Sequence, residues 1–464
     1  MPISSRFKTA SQLLLTVTPG PMEPKDLDSF LHPIMEELNI LADGISGLKL
    51  HGSDAAHVLR VFLLQVTTDM PAGDKLINAN GSNGMSPSRF RPLLGWWSAQ
   101  HRHYYFPDLH PVTGEVLCTL QDAAAELRTI DTIPAAVEEI EEPRRQKRTK
   151  AHVQNMCRKA GFKGYSLLLF PSQHHRAMYP NMEYSWGLGH RVAPYDVMHL
   201  ILLNVVPNLW RLFSGKWKTS DGSAHQWAMS EAIVTAVGVD VAAARATVPL
   251  QQAHSLRNIA LHYKSYKEVD WMFFILCTGP SVLPGRSPDE AYAMFMSLVR
   301  ACRIIFAPLG QTKEGIETMD KELREICRLF YLKAYGNDIN NITLCRSTIV
   351  GLLDIKRNIM ACGPTWSYWQ LVMERYIGTL PPLIKSHSSP HAALMNSISE
   401  WDRAELIATY ASSFHGELWA SASGTAPAGT PSCFPKSSLT FPLSEDQQIT
   451  LLSPRTKGGS TGRR

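Results

Sequence analysis

The stretch RVFLLQVTTDMP, residues 60–71, decides how the first part of this chain is interpreted. Its apolar run is typical of a buried strand, and the run stops at the carboxylate of Asp69, directly before Met70 and Pro71. In one interpretation the strand leaves the core into a turn, where Asp accepts backbone hydrogen bonds ahead of proline. In the other, Asp69 is an active-site acid at the carboxyl end of a central strand, where open α/β sheets place their chemistry. The stretch by itself leaves both interpretations open.

Composition bounds the class of protein. The chain has 464 residues, of which 44% are hydrophobic and 19% charged, enough for two or three domains with cores of their own. No apolar run reaches the roughly 18 residues that span a bilayer, so no membrane is expected as a partner. The 8 cysteines are scattered without a C-x-x-C pair, which favours reduced thiols in an intracellular protein. A net charge of +5 permits nucleic-acid binding without indicating it.

Apolar spacing predicts the organisation of the chain. Residues 25–41 have a helical period, and residues 46–52 are a short strand candidate. From about residue 195 to 340 the pattern is mainly helical, and residues 342–378 form another helical block. After about residue 413 the composition turns to Gly, Ser, Thr and Pro, which predicts a disordered tail.

One segment is unusually charged. Residues 123–150 run acidic and then basic with few large apolar residues, which predicts an exposed helical spacer. Its basic run can contact a nucleic-acid backbone, act as a nuclear localisation signal, or be plain solvated surface. The candidate DNA-binding residues are Arg144, Arg145, Lys147, Arg148 and Lys150.

Five blocks then occur in a recognisable order. The chain resembles fungal transposases of the CACTA (En/Spm-like) class over roughly residues 8 to 410. The blocks that carry the resemblance are GPMEPKDLDSFLHPIMEEL (20–38), LRVFLLQVTTDMPAGDKL (59–76), PYDVMHLILLNVVPNLW (194–210), YKEVDW (266–271) and CGPTWSYWQLVMERYIGTL (362–380).

The resemblance implies an α/β plus all-α fold class. It implies a partial RNase H-like α/β domain interrupted by a large helical insertion and followed by the disordered tail. The expected boundaries are a partial RNase H-like segment at 1–122, a charged helical spacer at 123–155, a helical insertion at 156–340, a helical return segment at 341–412 and the tail at 413–464.

The resemblance also implies a chemistry, DNA strand cleavage and joining by three acids and two divalent metals. Two metal ions about 4 Å apart activate the attacking oxygen and stabilise the leaving one, and Mg²⁺ prefers carboxylate ligands. Asp69 falls on the second acid of the family, and Glu374, in an M-E-R motif, is taken as the third; both would be catalytic and metal-binding. An ion pair between Glu374 and Arg375 on a helix is an equal alternative for that motif. Asp196 and His199 fall on a D-x-M-H block, with a structural or metal-adjacent role.

Departures from the family pattern predict a degenerate active site. The segment before residue 20 contains no Asp or Glu that could be the first acid, and two carboxylates do not easily hold two Mg²⁺ ions against hydration. Ser82, Ser88 and Arg91 stand where the family has a histidine and two cysteines, so no zinc site is expected. A compensating ligand set at His101 and His103 is a possibility that the spacing does not support.

The sequence therefore predicts a nuclear, transposase-derived protein that has DNA as its partner and has lost DNA transposition activity. If it is active, it would be a Mg²⁺-dependent transposase or nuclease of the DDE type. A non-enzymatic host protein that uses the helical region to bind protein or DNA is the alternative. A mis-started reading frame, with the first acid upstream, is a third possibility.

Overall fold

A computed structural model of the chain describes residues 15, 24, 26–49, 55–61, 63, 65–81, 84–86, 95–117, 132–168, 193–247, 256–386, 388–414, 438–440 and 450–452. This part of the chain is mainly helical, which confirms the helical character expected for residues 195–378. Within these residues the sheets are two-stranded and antiparallel. A larger RNase H-like sheet therefore stays a proposal.

The α-helices range from single turns to seven turns. Numbered in chain order, they are α1 Asp28–Asp43, α2 Met70–Leu76, α3 Thr132–Arg145, α4 Lys150–Ala160, α5 Val206–Phe213, α6 Glu231–Ala243, α7 Ile259–His262, α8 Glu268–Phe273, α9 Gly279–Val282, α10 Asp289–Ile305, α11 Lys313–Leu329, α12 Ser347–Gly351, α13 Ile355–Cys362, α14 Leu371–Thr379 and α15 Pro390–Phe414. Segments of π-helix at Met198–Val205, Phe274–Thr278 and Phe330–Tyr335 adjoin α5, α8 and α11.

The strands form three pairs. Strand β1 (Ile45–Lys49) pairs with β2 (Ala56–Leu59), so that Ile45 lies opposite Leu59. Strands β3 (Trp96–Ser98) and β4 (His103–Tyr105) form the second pair. Strands β5 (Ser438–Thr440) and β6 (Thr450–Leu452) form the third, inside the segment expected to be a disordered tail. The other tail residues from 415 onward lie outside the described residues.

The chain divides into two compact units. The larger takes in Lys25–Thr247 and Ser255–Gln370, and the smaller Met1–Pro24, Val248–His254 and Leu371–Arg464. In the larger unit the helical region has an aromatic centre, where the Phe274 ring lies edge-on to Trp210 and Phe295, with centroids 5.7 and 5.9 Å apart. Such edge-to-face pairs stabilise a core beyond their buried area alone.

A second cluster in the larger unit joins α1, α3 and α4. Met35 of α1 packs with Val137 and Ile140 of α3 and with Phe162, which follows α4. Val137, Ile140 and Phe162 are fully buried. The helical character predicted for the charged segment is confirmed from Thr132 onward, and its helix α3 contributes two side chains to this core. Residues 123–131 of the segment lie outside the described residues.

The prediction of a strand that ends at Asp69 is wrong for the residues that the structure describes. The described residues between positions 60 and 69 form no regular strand. Their hydrogen bonds connect them to separate segments of the larger unit. The Val66 carbonyl accepts from Ala193 N at 2.8 Å, and the Gln65 side chain donates to the Ser367 carbonyl at 3.0 Å. An apolar run can be buried by such long-range contacts without pairing as a strand, which local pattern does not reveal.

None of the helices that the structure describes combines the length and the apolar character needed to cross a bilayer.

Candidate nucleic-acid interface

Asp69 is the N-cap of helix α2. Its Oδ1 accepts a hydrogen bond from Ala72 N at 2.6 Å, and its backbone is extended with φ −64° and ψ 171°. Pro71 stands in the first turn, where its missing N–H costs nothing. The interpretation in which Asp69 accepts a backbone hydrogen bond next to proline is confirmed, and its expected catalytic and metal-binding role stays a prediction. The half-buried carboxylate holds the start of a helix rather than the end of a strand.

The buried Asp196 and the half-buried His199 form a pair at the start of the π-helical segment before α5. The Asp196 Oδ2 lies 2.5 Å from His199 Nδ1 and accepts from His199 N at 3.2 Å. Its Oδ1 accepts from Met198 N at 3.2 Å and from Gln370 N at 3.1 Å. Both oxygens of this fully buried carboxylate are thus engaged, which is what a structural acid in a core requires.

Glu374 and Arg375 lie on α14, in the smaller unit, whereas Asp69 and Asp196 belong to the larger one. The Glu374 side chain is exposed and that of Arg375 is half-buried. No cluster of three or more His, Cys, Asp or Glu side chains suited to a metal ion occurs in the described part of the chain.

The alternative ligands His101 and His103 flank the tip of the β3–β4 hairpin. His101 Nδ1 lies 3.1 Å from Ser98 Oγ, which is a hydroxyl contact at the hairpin itself. Burial lowers the pKa of His103, with smaller contributions from Arg346 and His101. Ser82, Ser88 and Arg91, the positions on which the zinc prediction turns, lie outside the described residues.

The basic run at the end of α3 divides into two kinds of residue. Arg144 pairs with Glu141, and Arg145 pairs with Glu138 and, at 2.8 Å, with Glu142. The hydrogen bond from Arg145 lowers the pKa of Glu142, as expected for an engaged carboxylate. These two arginines, predicted as DNA-binding residues, are therefore already paired with acids of their own helix.

The remaining cations lie on α4 and around it. Lys147, Arg148 and Lys150, which the sequence did predict, are exposed, and no acidic partner occurs for them among the described residues. Sequence reasoning missed three further exposed and equally unpaired cations, Arg158, Lys159 and Lys163. The signal for them was present, because residues 143–168 contain eight lysines and arginines and no acid.

Helix α4 is fixed at both ends. Thr149 Oγ1 caps its first turn by accepting from His152 N at 3.3 Å. Its last turn ends at Gly161, whose φ of 84° suits glycine. Asn80 binds the same end of the helix through two hydrogen bonds. Its side-chain amide donates to the Cys157 carbonyl at 2.7 Å, and its backbone N–H donates to the Gly161 carbonyl at 2.9 Å. The exposed lysines and arginines of α4 therefore stand on a helix that is capped at both ends.

Comparisons with known proteins identify no relative: no family model, no curated protein and no solved structure matches this chain.

Proposed function

We propose that this chain is a transposase-derived DNA-binding protein that acts without cleaving DNA. One observation carries the proposal, the exposed cationic surface of α4 and its flanking turns, which we call the α4 surface. It consists of Lys147, Arg148, Lys150, Arg158, Lys159 and Lys163. The resemblance to CACTA transposases supports DNA as the polyanion, and it makes the nucleus the expected compartment and a remnant RNase H-like domain the expected ancestry.

The physics of such a surface is that of phosphate neutralisation. Cations that are already paired gain little from a phosphate, because the new contact replaces an existing one. The six cations of the α4 surface have no such competitor among the described residues, so each can displace a counterion from DNA. Binding by this route loses affinity steeply as salt rises, with a slope of about −0.9 per phosphate contact.

Two observations support the absence of cleavage. The Asp69 carboxylate already caps α2, and this role explains an acid before Met70-Pro71 without any metal. Ser82, Ser88 and Arg91 stand where the metal motif of the family has its histidine and two cysteines. Mg²⁺ would be the cofactor only if cleavage occurred.

The binding experiment is fluorescence anisotropy of a labelled duplex with the purified protein and a triple variant, Lys150→Ala, Lys159→Ala and Lys163→Ala. If each of the three neutralises a phosphate, affinity at 0.1 M salt falls by roughly 10²- to 10³-fold. The matched control removes three exposed cations of α10 and α11 (Arg303→Ala, Lys313→Ala and Lys321→Ala) and leaves affinity nearly unchanged. Equal losses in both variants, or no binding by the native protein, would refute the proposal.

A separate assay tests the chemistry. Supercoiled plasmid incubated with the protein and Mg²⁺ or Mn²⁺ should stay intact. Nicking that disappears in the Asp69→Ala variant would show a working metal centre and overturn the non-catalytic part alone.

The alternative of a host protein that binds a protein partner through its helical region makes a different prediction. Its complex would tolerate salt, and the triple variant of the α4 surface would leave its DNA affinity negligible and unchanged.

A further inference from the structure

We propose that α3, the turn at residues 146–149 and α4 form a helix-turn-helix unit that reads duplex DNA in the major groove. This inference rests on the proposed DNA binding and deepens it, because it assigns base recognition to one face of α4. The face consists of Ala151, Gln154, Asn155 and Arg158.

Helical spacing places these four side chains together. At 3.6 residues per turn, positions 151, 154, 155 and 158 share one side of a helix. All four are exposed, whereas Val153, Met156, Cys157 and Ala160 on the opposite side pack against the cluster built by Met35, Val137, Ile140 and Phe162. The helix is thus seated in the core by one face and presents the other to solvent.

The exposed face has the chemistry of base recognition. Asn and Gln form paired hydrogen bonds with adenine, Arg forms them with guanine, and the methyl group of Ala suits thymine. A surface helix selected only for solubility would be expected to carry Glu and Lys at these positions. Gln154 and Asn155 occupy its centre instead, and the small Ala151 lets the first turn approach the bases closely.

Cations border this face where phosphates would lie. Lys150 stands on one side of the face and Lys159 on the other, while Lys147 and Arg148 precede the helix and Lys163 follows it. A helix in the major groove has a phosphate backbone on each side, so cations are needed on both borders. The 11 residues of α4 extend about 16 Å, which corresponds to about five base pairs at 3.4 Å each.

Arg144 of α3 stabilises the contact between α3 and α4. Arg144 donates to the Lys163 carbonyl and, at 3.7 Å, lies against the Cys157 sulfur, and it pairs with Glu141. It therefore ties α3 to the far end of α4. Arg144 and Arg145 are thus engaged in contacts within α3 and between α3 and α4. The cations of α4 stay available to a ligand.

The test is selection from randomised duplexes, followed by affinity measurement on the enriched sequence and on a scrambled one. The native protein should enrich a site of about four to six base pairs and bind it at least about tenfold more tightly than the scrambled duplex. The double variant Gln154→Ala and Asn155→Ala should lose this preference while keeping its affinity for the scrambled duplex. Lys150→Ala is the contrast, because it should weaken both duplexes by the same factor.

The outcomes separate the two proposals. Binding of all duplexes without enrichment, or equal binding of single-stranded DNA, overturns base reading and leaves phosphate binding intact. Preference that survives the double variant also overturns it. Absence of binding to any DNA refutes the proposed function itself. Circular dichroism of each variant checks that α4 is retained, which is expected because the changed side chains are exposed.

Discussion

The Nδ1 of His199 lies 2.5 Å from the Oδ2 of Asp196, whose side chain has no exposed surface. Together with the backbone N–H groups of Met198, His199 and Gln370, this ring surrounds one carboxylate with four donors. A buried charge that is so fully hydrogen-bonded stabilises the positions of the groups that surround it. Here it joins the start of the helix that leads into α5 to the chain at Gln370.

Replacement of this acid should destabilise the larger unit strongly. Asp196→Asn turns one acceptor into a donor that faces donors, and we expect a loss of about 3–5 kcal/mol in the free energy of unfolding. Urea denaturation measures it. Glu139→Gln, an exposed acid of α3, is the control and should change stability by less than about 0.5 kcal/mol. A small effect at Asp196 would contradict its structural role.

The burial of α3 makes a second prediction. Ile140 is fully buried between helices α1 and α4, so Ile140→Ala should cost about 2–5 kcal/mol through lost contacts and a cavity. Leu261→Ala, at a site 73% exposed, is the matched control and should cost little. If both variants unfold like the native protein, α3 is not part of the core and the helix-turn-helix unit lacks its support.

Asp69 should behave as a helix cap. Asp69→Ala removes the acceptor for Ala72 N and should cost about 1 kcal/mol, whereas Asp69→Asn retains an acceptor and should cost only a few tenths. Thermal unfolding of the two variants distinguishes them. Equal stability of both would mean that the carboxylate does not serve the helix.

His225 should make stability depend on pH. Burial lowers the pKa of this histidine, while its hydrogen bond to Ala334 and the charge of Asp338 act in the opposite direction. Its Nε2 lies 2.8 Å from the Ala334 carbonyl, and its Nδ1 accepts from Trp227 N at 3.1 Å. Protonation of Nδ1 would place two donors face to face.

The direction of this pH dependence follows from the linkage between protonation and folding. Below about pH 6.5 the unfolded chain protonates His225 more readily than the folded protein does, so the free energy of unfolding falls as the pH drops from 7.5 to 5.5. His103, whose pKa is also lowered, adds to this slope. Denaturation at several pH values should show a weaker slope in His225→Gln and an unchanged slope in His152→Gln, whose side chain is exposed. A native protein that gains stability on acidification over this range would contradict the prediction.

Local pattern predicted the regular elements well. The helical period of residues 25–41 corresponds to α1, and the strand candidate at 46–52 overlaps β1. These elements follow from spacing between near neighbours. The strand prediction for the stretch before Asp69 was wrong because its hydrogen-bond partners, Ala193 and Ser367, lie more than a hundred residues away.

In the basic region, too, contacts between near neighbours can be predicted from the sequence and contacts with distant residues cannot. Pairing of Arg144 and Arg145 with acids three and seven residues earlier is legible in helical spacing. The exposure of Arg158 and Lys159 depends on which face of α4 is buried. That face is decided in part by Met35 of α1, which lies more than a hundred residues earlier in the chain.

The salt dependence of duplex binding tests the central claim most directly. Affinity measured between 50 and 200 mM salt should give a steep slope for the native protein, reduced by about 0.9 for each cation removed from the α4 surface and unchanged in the α10–α11 control. A native slope near zero, or one that the triple variant leaves unaltered, would contradict DNA binding through α4.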